Sequence, residues 1–349
     1  MADRPRQTVD ARRLRTILAG FPRVRVAVVG DLVADEFIYG KLDRVSREAP
    51  VLILNYDSTE VIPGGAGNAA SNAAALGATV RVFGLVGRDV TGTRLLDALN
   101  GRADLGGVSR AGGYVTPVKT RILAGGVHSA KQQVVRIDRS GSAISPALAR
   151  KVEAALARAI PQVDVVIISD YGRGLITPAR WAKALEASGV TRPPIVLADS
   201  RYALDGFVGM TACTPNEPEV EALLGVKIDD NLDVLERAGR ALLNRLECRA
   251  VLVTRGSRGM ALFEPGKPTD HIGIIGSDEV ADVTGAGDTV IATFAIALGA
   301  GASFGEAARL ANHAGGIVVM KRGTATASRA ELGASLDREA GTGRRGRRS

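Results

Sequence analysis

Residues 282–288 read Asp-Val-Thr-Gly-Ala-Gly-Asp, and a run of small and apolar residues from 289 to 298 follows directly. The run predicts a buried helix that begins at the Gly-Ala-Gly segment. Backbone N–H groups in the first turn of a helix have no intrahelical partner, and the positive end of the helix dipole lies there too. This stretch therefore predicts an anion-binding site at the start of a core helix.

Asp288 closes this segment, although a carboxylate beside a bound phosphate would be repelled by it. A general base explains its presence. In that role Asp288 takes the proton from an attacking hydroxyl, while the N–H groups of Gly285, Ala286 and Gly287 stabilise the charge on a phosphoryl group in transfer. The alternative is an ordinary helix start, where an acidic residue is favourable through the dipole alone.

The composition favours a large α/β protein and argues against two kinds of site. With 349 residues and 46 % hydrophobic content, the chain can bury a sizeable core. Cys213 and Cys248 are its only cysteines, so we expect no disulfide framework and a reducing compartment. These two thiols and three scattered histidines do not have the spacing of a metal cluster.

The net charge of +8 is concentrated at the two ends of the chain. Half of it comes from four arginines in the last six residues: Arg344, Arg345, Arg347 and Arg348. The chain begins without the apolar segment of a signal peptide, and its longest apolar stretch, 290–300, is too short to span a bilayer. We therefore expect a soluble, cytoplasmic protein with no membrane partner and no specific nucleic-acid partner.

The second half of the chain alternates predicted helices with apolar strands. From residue 146 onward, helices precede strands at 163–168, 195–198 and 250–253. Such βαβ units predict a doubly wound, mostly parallel sheet with helices on both faces. An apolar strand at 24–29, interrupted only by Arg25, has the character of a buried strand in the same sheet.

Four other segments are rich in β-forming residues, and the two from residue 118 onward mix apolar and polar positions, which is typical of strands with one solvated face. They lie at 37–39, 51–54, 118–123 and 133–138. We predict that they form a small separate sheet, a β lid whose strands come from about 35–60 and 114–138.

The chain is thus predicted to contain one large domain over residues 22–330, which carries the lid. A basic N-terminal extension with a short helix precedes it over residues 1–21. A basic, disordered tail is expected over residues 331–349.

Polar residues follow the apolar strands where each strand ends. Asp31 follows the first strand, and Asp170, Asn216 and the run Thr254-Arg255-Gly256 follow others. Ligands of doubly wound sheets bind at the carboxyl ends of the strands, so these residues are predicted to meet at one site.

A second glycine-rich turn, Gly64-Gly65, precedes a predicted helix that begins at residue 66. Paired glycines let a backbone approach a ligand closely. Asn68 offers both a donor and an acceptor, which suits a sugar hydroxyl. The alternative is a flexible turn followed by a polar helix start.

Asn216 and Glu219 lie three residues apart at another predicted helix start, on one face. Such a pair can hold a hydrated Mg²⁺, which asks for only one or two carboxylates. A helix-capping arrangement is an equally good interpretation of this spacing. The sequence has neither a P-loop nor a G-x-G-x-x-G turn after the first strand, so if the protein handles a phosphoryl group, residues 285–288 must do it.

Together these segments resemble the PfkB/ribokinase family of carbohydrate kinases. Residues 282–288 resemble its C-terminal signature, Gly64-Gly65 with Asn68 its N-terminal signature, and residues 216–219 its N-x-x-E motif. The likeness extends over roughly residues 22–328. It implies a ribokinase-like fold, transfer of phosphate from ATP to an alcohol group, Mg²⁺ as cofactor and a homodimer formed through the β lids.

Stretches outside the two signatures resemble the heptose 7-phosphate kinases of the RfaE type. They lie at 43–50, 63–77, 119–121, 132–138, 169–174, 310–312 and 323–326. This likeness implies phosphorylation of the anomeric hydroxyl of D-glycero-β-D-manno-heptose 7-phosphate, giving the 1,7-bisphosphate. The alternatives are a kinase for another sugar, sugar phosphate or nucleoside, and a non-catalytic sugar- or nucleotide-binding regulator on the same fold.

The resemblance also implies roles for the candidate residues. Asp288 would be the base, with an anion hole at Gly285–Gly287. Sugar hydroxyls would be held by Asp31, Gly64, Gly65, Asn68 and Asp170. The nucleotide would be lined by Asn216, Glu219, Thr254, Arg255, Gly256, Gly259 and Asn312, with Glu219 holding Mg²⁺ through water. Asp282 and Thr284, with carbonyls near Gly323, are candidates for a monovalent cation site that would take K⁺.

Lys119 and Arg121, with Arg47 as a third candidate, are our inference for the substrate's own phosphate, because a second phosphate needs fixed cations. Solvent-facing charge on the lid is the alternative. One departure from the family leaves the acceptor open: Asp199-Ser200-Arg201 stands where many relatives carry Asp-Pro-Lys.

Overall fold

The computed structural model describes residues 10–125, 131–275 and 281–345, with side chains through residue 339. The strands are β1 Arg25–Gly30, β2 Leu32–Val45, β3 Leu52–Gly65, β4 Thr79–Gly87, β5 Asp104–Ala111, β6 Val118–Gly125, β7 Gln132–Arg139, β8 Val165–Asp170, β9 Ile195–Ser200, β10 Ala212–Cys213, β11 Ala250–Thr254, β12 Met260–Phe263 and β13 Asp270–Ile272. The α-helices are α1 Ala11–Gly20, α2 Ala66–Ala75, α3 Val90–Leu99, α4 Pro146–Ala159, α5 Pro178–Ala187, α6 Glu217–Leu224, α7 Leu232–Leu246, α8 Ala286–Gly299, α9 Phe304–Val318 and α10 Arg329–Arg345.

The large sheet has the strand order β13-β12-β11-β10-β9-β8-β1-β4-β5. Every neighbouring pair from β11 to β5 is parallel, and β12 and β13 extend the β11 edge as antiparallel strands. The chain builds outward from β1 toward β5 on one side and from β8 toward β13 on the other. The point where the order reverses therefore lies between β1 and β8, where ligands of such sheets bind.

Helices cover both faces of this sheet, as the alternation of helix and strand predicted. The side chains of β1 show the division, since Val26 and Val28 face one core while Ala27 and Val29 face the other. Helices α1, α2, α3, α8, α9 and α10 pack in the first core, and α4, α5, α6 and α7 pack in the second. The doubly wound fold class is confirmed.

The small sheet has the strand order β3-β2-β6-β7, and each of its strands contains one of the four segments predicted to form the lid. Its register places Asp35, Lys119 and Asp138 in one row across three strands, and Phe37, Arg121 and Arg136 in the next row on the same face. Side chains that lie opposite each other in a sheet point to the same face. These two rows therefore form one charged face of the small sheet.

The last predicted segment differs from the structure. A disordered tail was expected from residue 331, and this was wrong for the part that the structure describes, because α10 runs from Arg329 to Arg345. Leu332 and Leu336, one helical turn apart, are 0 % and 1 % exposed and join the first core. Two apolar residues among many charges and glycines gave too weak a periodic signal to predict a helix.

Among the described residues, none of the helices combines the length and the apolar character that crossing a membrane requires. The short helix predicted within residues 1–21 corresponds to α1.

Candidate active site

Helix α8 carries Asp288 in its first turn, at the carboxyl edge of the large sheet. The residue before the helix, Gly285, has a left-handed backbone with φ of 77°. A Cβ atom at Gly285 would lie 2.4 Å from Nδ2 of Asn68, so only glycine fits this position. Asp288 is 4 % exposed, and the tight turn brings its carboxylate against the start of helix α2.

Two hydrogen bonds fix the Asp288 carboxylate. Asn68 Nδ2 donates to Oδ2 at 2.9 Å, and the Tyr171 hydroxyl donates to Oδ1 at 3.1 Å. Each oxygen thus has one protein donor, and the two donors come from different elements, α2 and the loop after β8. The carboxylate is held in one orientation before any substrate binds.

Burial raises the pKa of Asp288 to about 7 from its ordinary value of 3.8. The hydrogen bonds from Asn68 and Tyr171 lower the pKa, Asp35 raises it and Lys119 lowers it. A carboxylate with a pKa near neutral pH is a stronger base than an exposed one, yet it is still largely ionised just above that pH. These properties suit proton abstraction from a hydroxyl.

Asn68 joins α8 to α2 through a buried amide network. Its Nδ2 also donates to the Gly285 carbonyl at 3.2 Å, and its Oδ1 accepts from Asn72 Nδ2 at 3.0 Å. Thr289 Oγ1 donates to Asn72 Oδ1 at 2.9 Å, which closes the network onto α8. The sequence suggested Asn68 as a sugar ligand, whereas here its amide group is bonded to protein partners, chiefly the Asp288 carboxylate.

Asp31 lies at the switch point between β1 and β8 and is 3 % exposed. Its Oδ2 accepts backbone N–H groups of Tyr171 at 2.9 Å and Arg173 at 3.1 Å. Burial, reinforced by the charge of Asp170, raises the pKa of Asp31 to about 6. Asp31 is thus a buried carboxylate on the same edge of the sheet as Asp288.

Asp170 is predominantly a structural residue in this arrangement. Its Oδ1 accepts from the Gly172 N–H at 2.9 Å and its Oδ2 from Ser200 Oγ at 2.7 Å, so it fixes the loops after β8 and β9. It also lines the cavity in front of Asp288. Its predicted role in binding the sugar stays a prediction.

The glycine pair Gly64-Gly65 lies where β3 runs into α2. A Cβ at Gly64 would lie 2.5 Å from Oδ2 of Asp35, and one at Gly65 would lie 2.5 Å from the Asp31 carbonyl oxygen. Both glycines therefore permit close approach between this backbone and the segment from the end of β1 into β2, which carries both aspartates.

Arg121, predicted to bind a substrate phosphate, is buried and paired with a carboxylate of the small sheet. Its Nη1 lies 2.6 Å from Oδ1 of Asp35, and its guanidinium group lies 5.3 Å from the Phe37 ring centre. Thr324 Oγ1 donates to the other Asp35 oxygen at 3.0 Å. Arg121 thus neutralises Asp35, and the structure does not present it as an uncompensated cation.

Lys119 lies on the same face of the small sheet and reaches the active-site edge. Its Nζ is 4.8 Å from the ring centre of Tyr171. Burial lowers the pKa of Lys119, Asp35 raises it, and the nearby charges of Arg136, Arg201 and Arg121 lower it. Arg47, the third phosphate candidate, is exposed in the connection between β2 and β3.

Two adjoining cavities open beside Asp288. One, of about 230 Å³, is lined by polar groups that include Tyr171, Asp199, Asn216, Glu219 and Asp288. The other, of about 180 Å³, is mainly apolar. Thr254 and Gly287 line both, so the Gly-Ala-Gly turn stands between a polar and an apolar chamber.

The predicted nucleotide residues divide between these chambers. Gly256, Gly259 and Asn312 line the apolar one, together with Ile274 and Val290. Arg255 does not line either; its Nε lies 2.6 Å from Glu217 Oε1, and both side chains are 7 % exposed. A buried ion pair of this kind is costly to break, so Arg255 supports the loop after β11.

Asn216 and Glu219 form a capping box at the start of α6. The Glu219 N–H donates to Asn216 Oδ1 at 2.9 Å, and the Asn216 N–H donates to Glu219 Oε2 at 3.0 Å. Burial raises the pKa of Glu219, and burial with the charges of Glu219 and Asp288 raises the pKa of Asp199. Carboxylates that repel one another in this way would be stabilised by a cation. Among the described residues, however, no group of three or more His, Cys, Asp or Glu is arranged to hold a metal ion.

The two loops predicted to hold a monovalent cation meet at Asp282. Its Oδ1 accepts from the Thr284 N–H at 2.9 Å, and its Oδ2 accepts from the Gly323 N–H at 3.0 Å. The carboxylate therefore joins the start of the Gly-Ala-Gly turn to the loop that precedes α10. The ion itself stays a prediction.

Asp35 and Tyr171, to which no motif of the sequence points, lie at the centre of the site. Asp35 alternates in phase with Phe37 on β2, so a carboxylate on a buried face was the available signal. Tyr171 follows Asp170 directly and carried no periodic signal of its own.

Comparison with known sequences identifies the family to which this site belongs. Residues 25–331 match the sequence pattern of the pfkB family carbohydrate kinases. This chain is a pfkB-family carbohydrate kinase. It is therefore a phosphotransferase that uses an alcohol group as acceptor, and the resemblance of its signatures to this family is confirmed.

Two relatives align with nearly the whole length of this kinase. It is 38 % identical over 337 residues to the Bifunctional protein HldE of Geobacter sulfurreducens, covering 96 % of this chain and 67 % of that protein. It is 40 % identical over 335 residues to the Bifunctional protein HldE of Aeromonas salmonicida, covering 95 % of this chain and 67 % of that protein. The kinase thus spans about two thirds of the length of these relatives.

Solved structures share the fold of this kinase. Ribokinase of Arabidopsis thaliana, complexed with ribose and ATP, is similar with a TM-score of 0.68 and 22 % identity, covering 90 % of this chain and 98 % of that one. Phosphofructokinase-2 of Escherichia coli, in complex with fructose-6-phosphate, is similar with a TM-score of 0.71 and 18 % identity. The match covers 90 % of this chain and 99 % of that one. The ribokinase-like fold is confirmed.

Replacing Asp288 by Asn is expected to stabilise the folded kinase above pH 7. The pKa of Asp288 is raised to about 7 in the folded protein from an ordinary 3.8, so the wild-type protein loses stability as the pH rises through this interval. The loss is at most ~4 kcal/mol at about 1.4 kcal/mol per pKa unit. Because Asn cannot ionise, the stability difference between variant and wild type should grow toward pH 7 and then stay constant.

Urea denaturation at several values between about pH 5 and about pH 8 measures this difference. Asp97→Asn, which changes an exposed carboxylate on α3, is the matched control. A stability difference for Asp288→Asn that is the same at every pH would contradict the raised pKa.

Proposed function

We propose that this kinase transfers the terminal phosphoryl group of ATP to the anomeric hydroxyl of D-glycero-β-D-manno-heptose 7-phosphate. The observation that carries the proposal is the buried Asp288 carboxylate, fixed by two donors at a helix start beside a polar cavity. The likeness of the lid and sugar side to heptose 7-phosphate kinases supports this acceptor. So does 36–40 % identity to HldE proteins.

In the proposed reaction Asp288 accepts the proton of the anomeric hydroxyl. The hydroxyl oxygen forms a bond to the terminal phosphorus of ATP, the bond from that phosphorus to the bridging oxygen breaks, and the electron pair leaves with ADP. The N–H groups of Gly285, Ala286 and Gly287 stabilise the charge on the transferring group. Asp31, Gly64 and Gly65 hold the sugar at the switch point, and Asn68 acts chiefly by orienting Asp288.

The apolar chamber takes the adenosine part of ATP, between Gly256, Gly259 and Asn312, and the phosphates lie toward Gly287. Glu219, with Asp199 beside it, would hold Mg²⁺ through water, and bound Mg²⁺ neutralises charge on the phosphates. Asp282 with Thr284 is the proposed position for K⁺ behind the anion-binding turn.

An acceptor panel tests this proposal directly. ADP release with MgATP is measured for the β anomer of heptose 7-phosphate, its α anomer, fructose 6-phosphate, ribose and adenosine. We expect turnover confined to the β-heptose phosphate, and a loss of about 10²–10⁴-fold in kcat for Asp288→Asn. Turnover on another acceptor would agree with kinase activity but would contradict heptose 7-phosphate as the acceptor. Near-normal turnover of Asp288→Asn would reject the assignment of the base.

Lys119→Met is expected to raise KM for a phosphorylated acceptor by about 10–100-fold, because a charge-assisted contact to its phosphate is lost. KM for ATP should change little. Lys131→Met is the matched control, since Lys131 also belongs to the small sheet region but pairs with Asp57 at 2.6 Å. A rise confined to KM for ATP would show that Lys119 serves the nucleotide.

We also propose a homodimer formed through the small sheet. The face opposite to Lys119 and Arg121 carries Val135 and Ile137, which are 48 % and 49 % exposed, and β7 is exposed along its whole length at the sheet edge. Leu42 on β2 and Tyr56 on β3 add exposed apolar area to the small sheet. An apolar sheet face with an open edge strand suits pairing with a second copy.

Sedimentation velocity at micromolar concentration tests the dimer. The wild-type kinase should sediment as a dimer, and the double variant Val135→Glu, Ile137→Glu should sediment as a monomer because the charges would be buried at the interface. Val90→Glu, at an exposed position of α3, is the control and should remain dimeric. A monomeric wild-type protein would contradict the proposal.

A further inference from the structure

Tyr171 contacts three groups of the site from one position after β8. Its backbone N–H donates to Asp31 Oδ2 at 2.9 Å, and its hydroxyl donates to Asp288 Oδ1 at 3.1 Å. Its ring centre lies 4.8 Å from Lys119 Nζ. The backbone, ring and hydroxyl of this residue therefore meet the switch point, the small sheet and α8.

The ring has little freedom to leave this position. On one side it lies so near the backbone of Gly65 that a Cβ there would be 3.4 Å from two ring carbons. Lys119 lies over its face, where a cation is attracted by the ring electrons. The glycine pair and the small sheet together hold the phenol against Asp288.

The phenol is a donor over the whole working pH range. Burial and the charge of Asp288 raise the pKa of Tyr171 well above its ordinary value of 10, so its proton stays on the oxygen. An O–H that always donates stabilises the ionised carboxylate and opposes the effect of burial. Asn68 donates to the other oxygen, so removing the phenol oxygen leaves Asp288 with one donor.

We propose that Tyr171, together with Asn68, is a positioning residue of the base: its hydroxyl holds Asp288 in the orientation that meets the acceptor hydroxyl, and its ring holds Lys119 near the same edge of the site. One side chain would then set the distance between the base and the cation that binds the acceptor's phosphate. This inference rests on the proposed role of Asp288, and its experiments are chosen to separate the two.

Other charged and titratable groups surround Asp288 and must stay unchanged in any test. They come from β2, β6, α6 and the ends of β8 and β9: Asp35, Lys119, Asp170, Asp199, Arg201 and Glu219. Tyr171→Phe leaves all of them in place and removes one oxygen. Tyr202→Phe makes the same chemical change at a side chain that is 74 % exposed, and it is the matched control.

Tyr171→Phe is expected to lower kcat about tenfold or more near pH 7 and to leave KM for the phosphorylated acceptor within about twofold, because the ring under Lys119 remains. The acidic limb of the kcat/KM profile should move to higher pH by about one unit, because the ionised carboxylate loses a donor. Tyr202→Phe should match the wild-type protein in all three quantities.

A second measurement does not depend on the acceptor. The pH at which the stability difference between Asp288→Asn and its parent levels off should also rise by about one unit when both carry Tyr171→Phe. Together, these two upward shifts would support the proposal. A kcat within twofold of wild type, or a fall in kcat that is equal at every pH with no shift in either profile, would overturn it and leave Tyr171 a packing residue.

The outcomes also separate this inference from the proposed function. If Asp288→Asn keeps its activity while the stability profile still shifts, Asp288 is not the base. The Tyr171 hydroxyl would then position a carboxylate with another role, and this inference would fail together with the proposed function. If Asp288→Asn is inactive and Tyr171→Phe changes nothing, the inference alone fails.

Discussion

The hydrogen bond from Asn68 to Asp288 is the contact on which the rest of the site depends. It joins the first turns of two helices that are 220 residues apart in the chain. Gly285 can come close to α2 only because it lacks a side chain, and Asn72 and Thr289 complete the connection below it. Removing this contact would remove the link between Asp288 and the helix that begins at the glycine pair, so the two signatures of the family form one structural unit.

This unit buries carboxylates that would each be more stable in water. Burial raises the pKa of Asp31 and of Asp288, and Asp35 needs the full charge of Arg121 beside it. A fold selected for stability alone would avoid such an arrangement. The large apolar cores on the two faces of the sheet offset this cost, and the kinase keeps reactive groups where water is largely excluded.

Patterns with a strong local cause were predictable from the sequence. Neighbouring residues alone predict the apolar strands of the large sheet, the β-rich segments of the small sheet and the Gly-Ala-Gly turn. The pairing of Arg121 with Asp35, the pairing of Arg255 with Glu217 and the amide of Asn68 on Asp288 were not predictable, because their partners are distant in sequence. Helix α10 was not predicted, because only the packing of Leu332 and Leu336 against the first core shows that they form a buried helix face.

Two of the four points at which the chain enters or leaves the small sheet contain no linker. Strand β2 begins one residue after β1 ends, with Asp31 at the joint, and β3 ends at Gly65 where α2 starts. Both of these junctions thus lie beside the residues predicted to bind the sugar. Any rotation of the small sheet relative to the large one must change the backbone around Asp31 and Gly65 as well as the connections at 112–117 and 140–145, so the angle of the small sheet and the geometry of the predicted sugar site would change together.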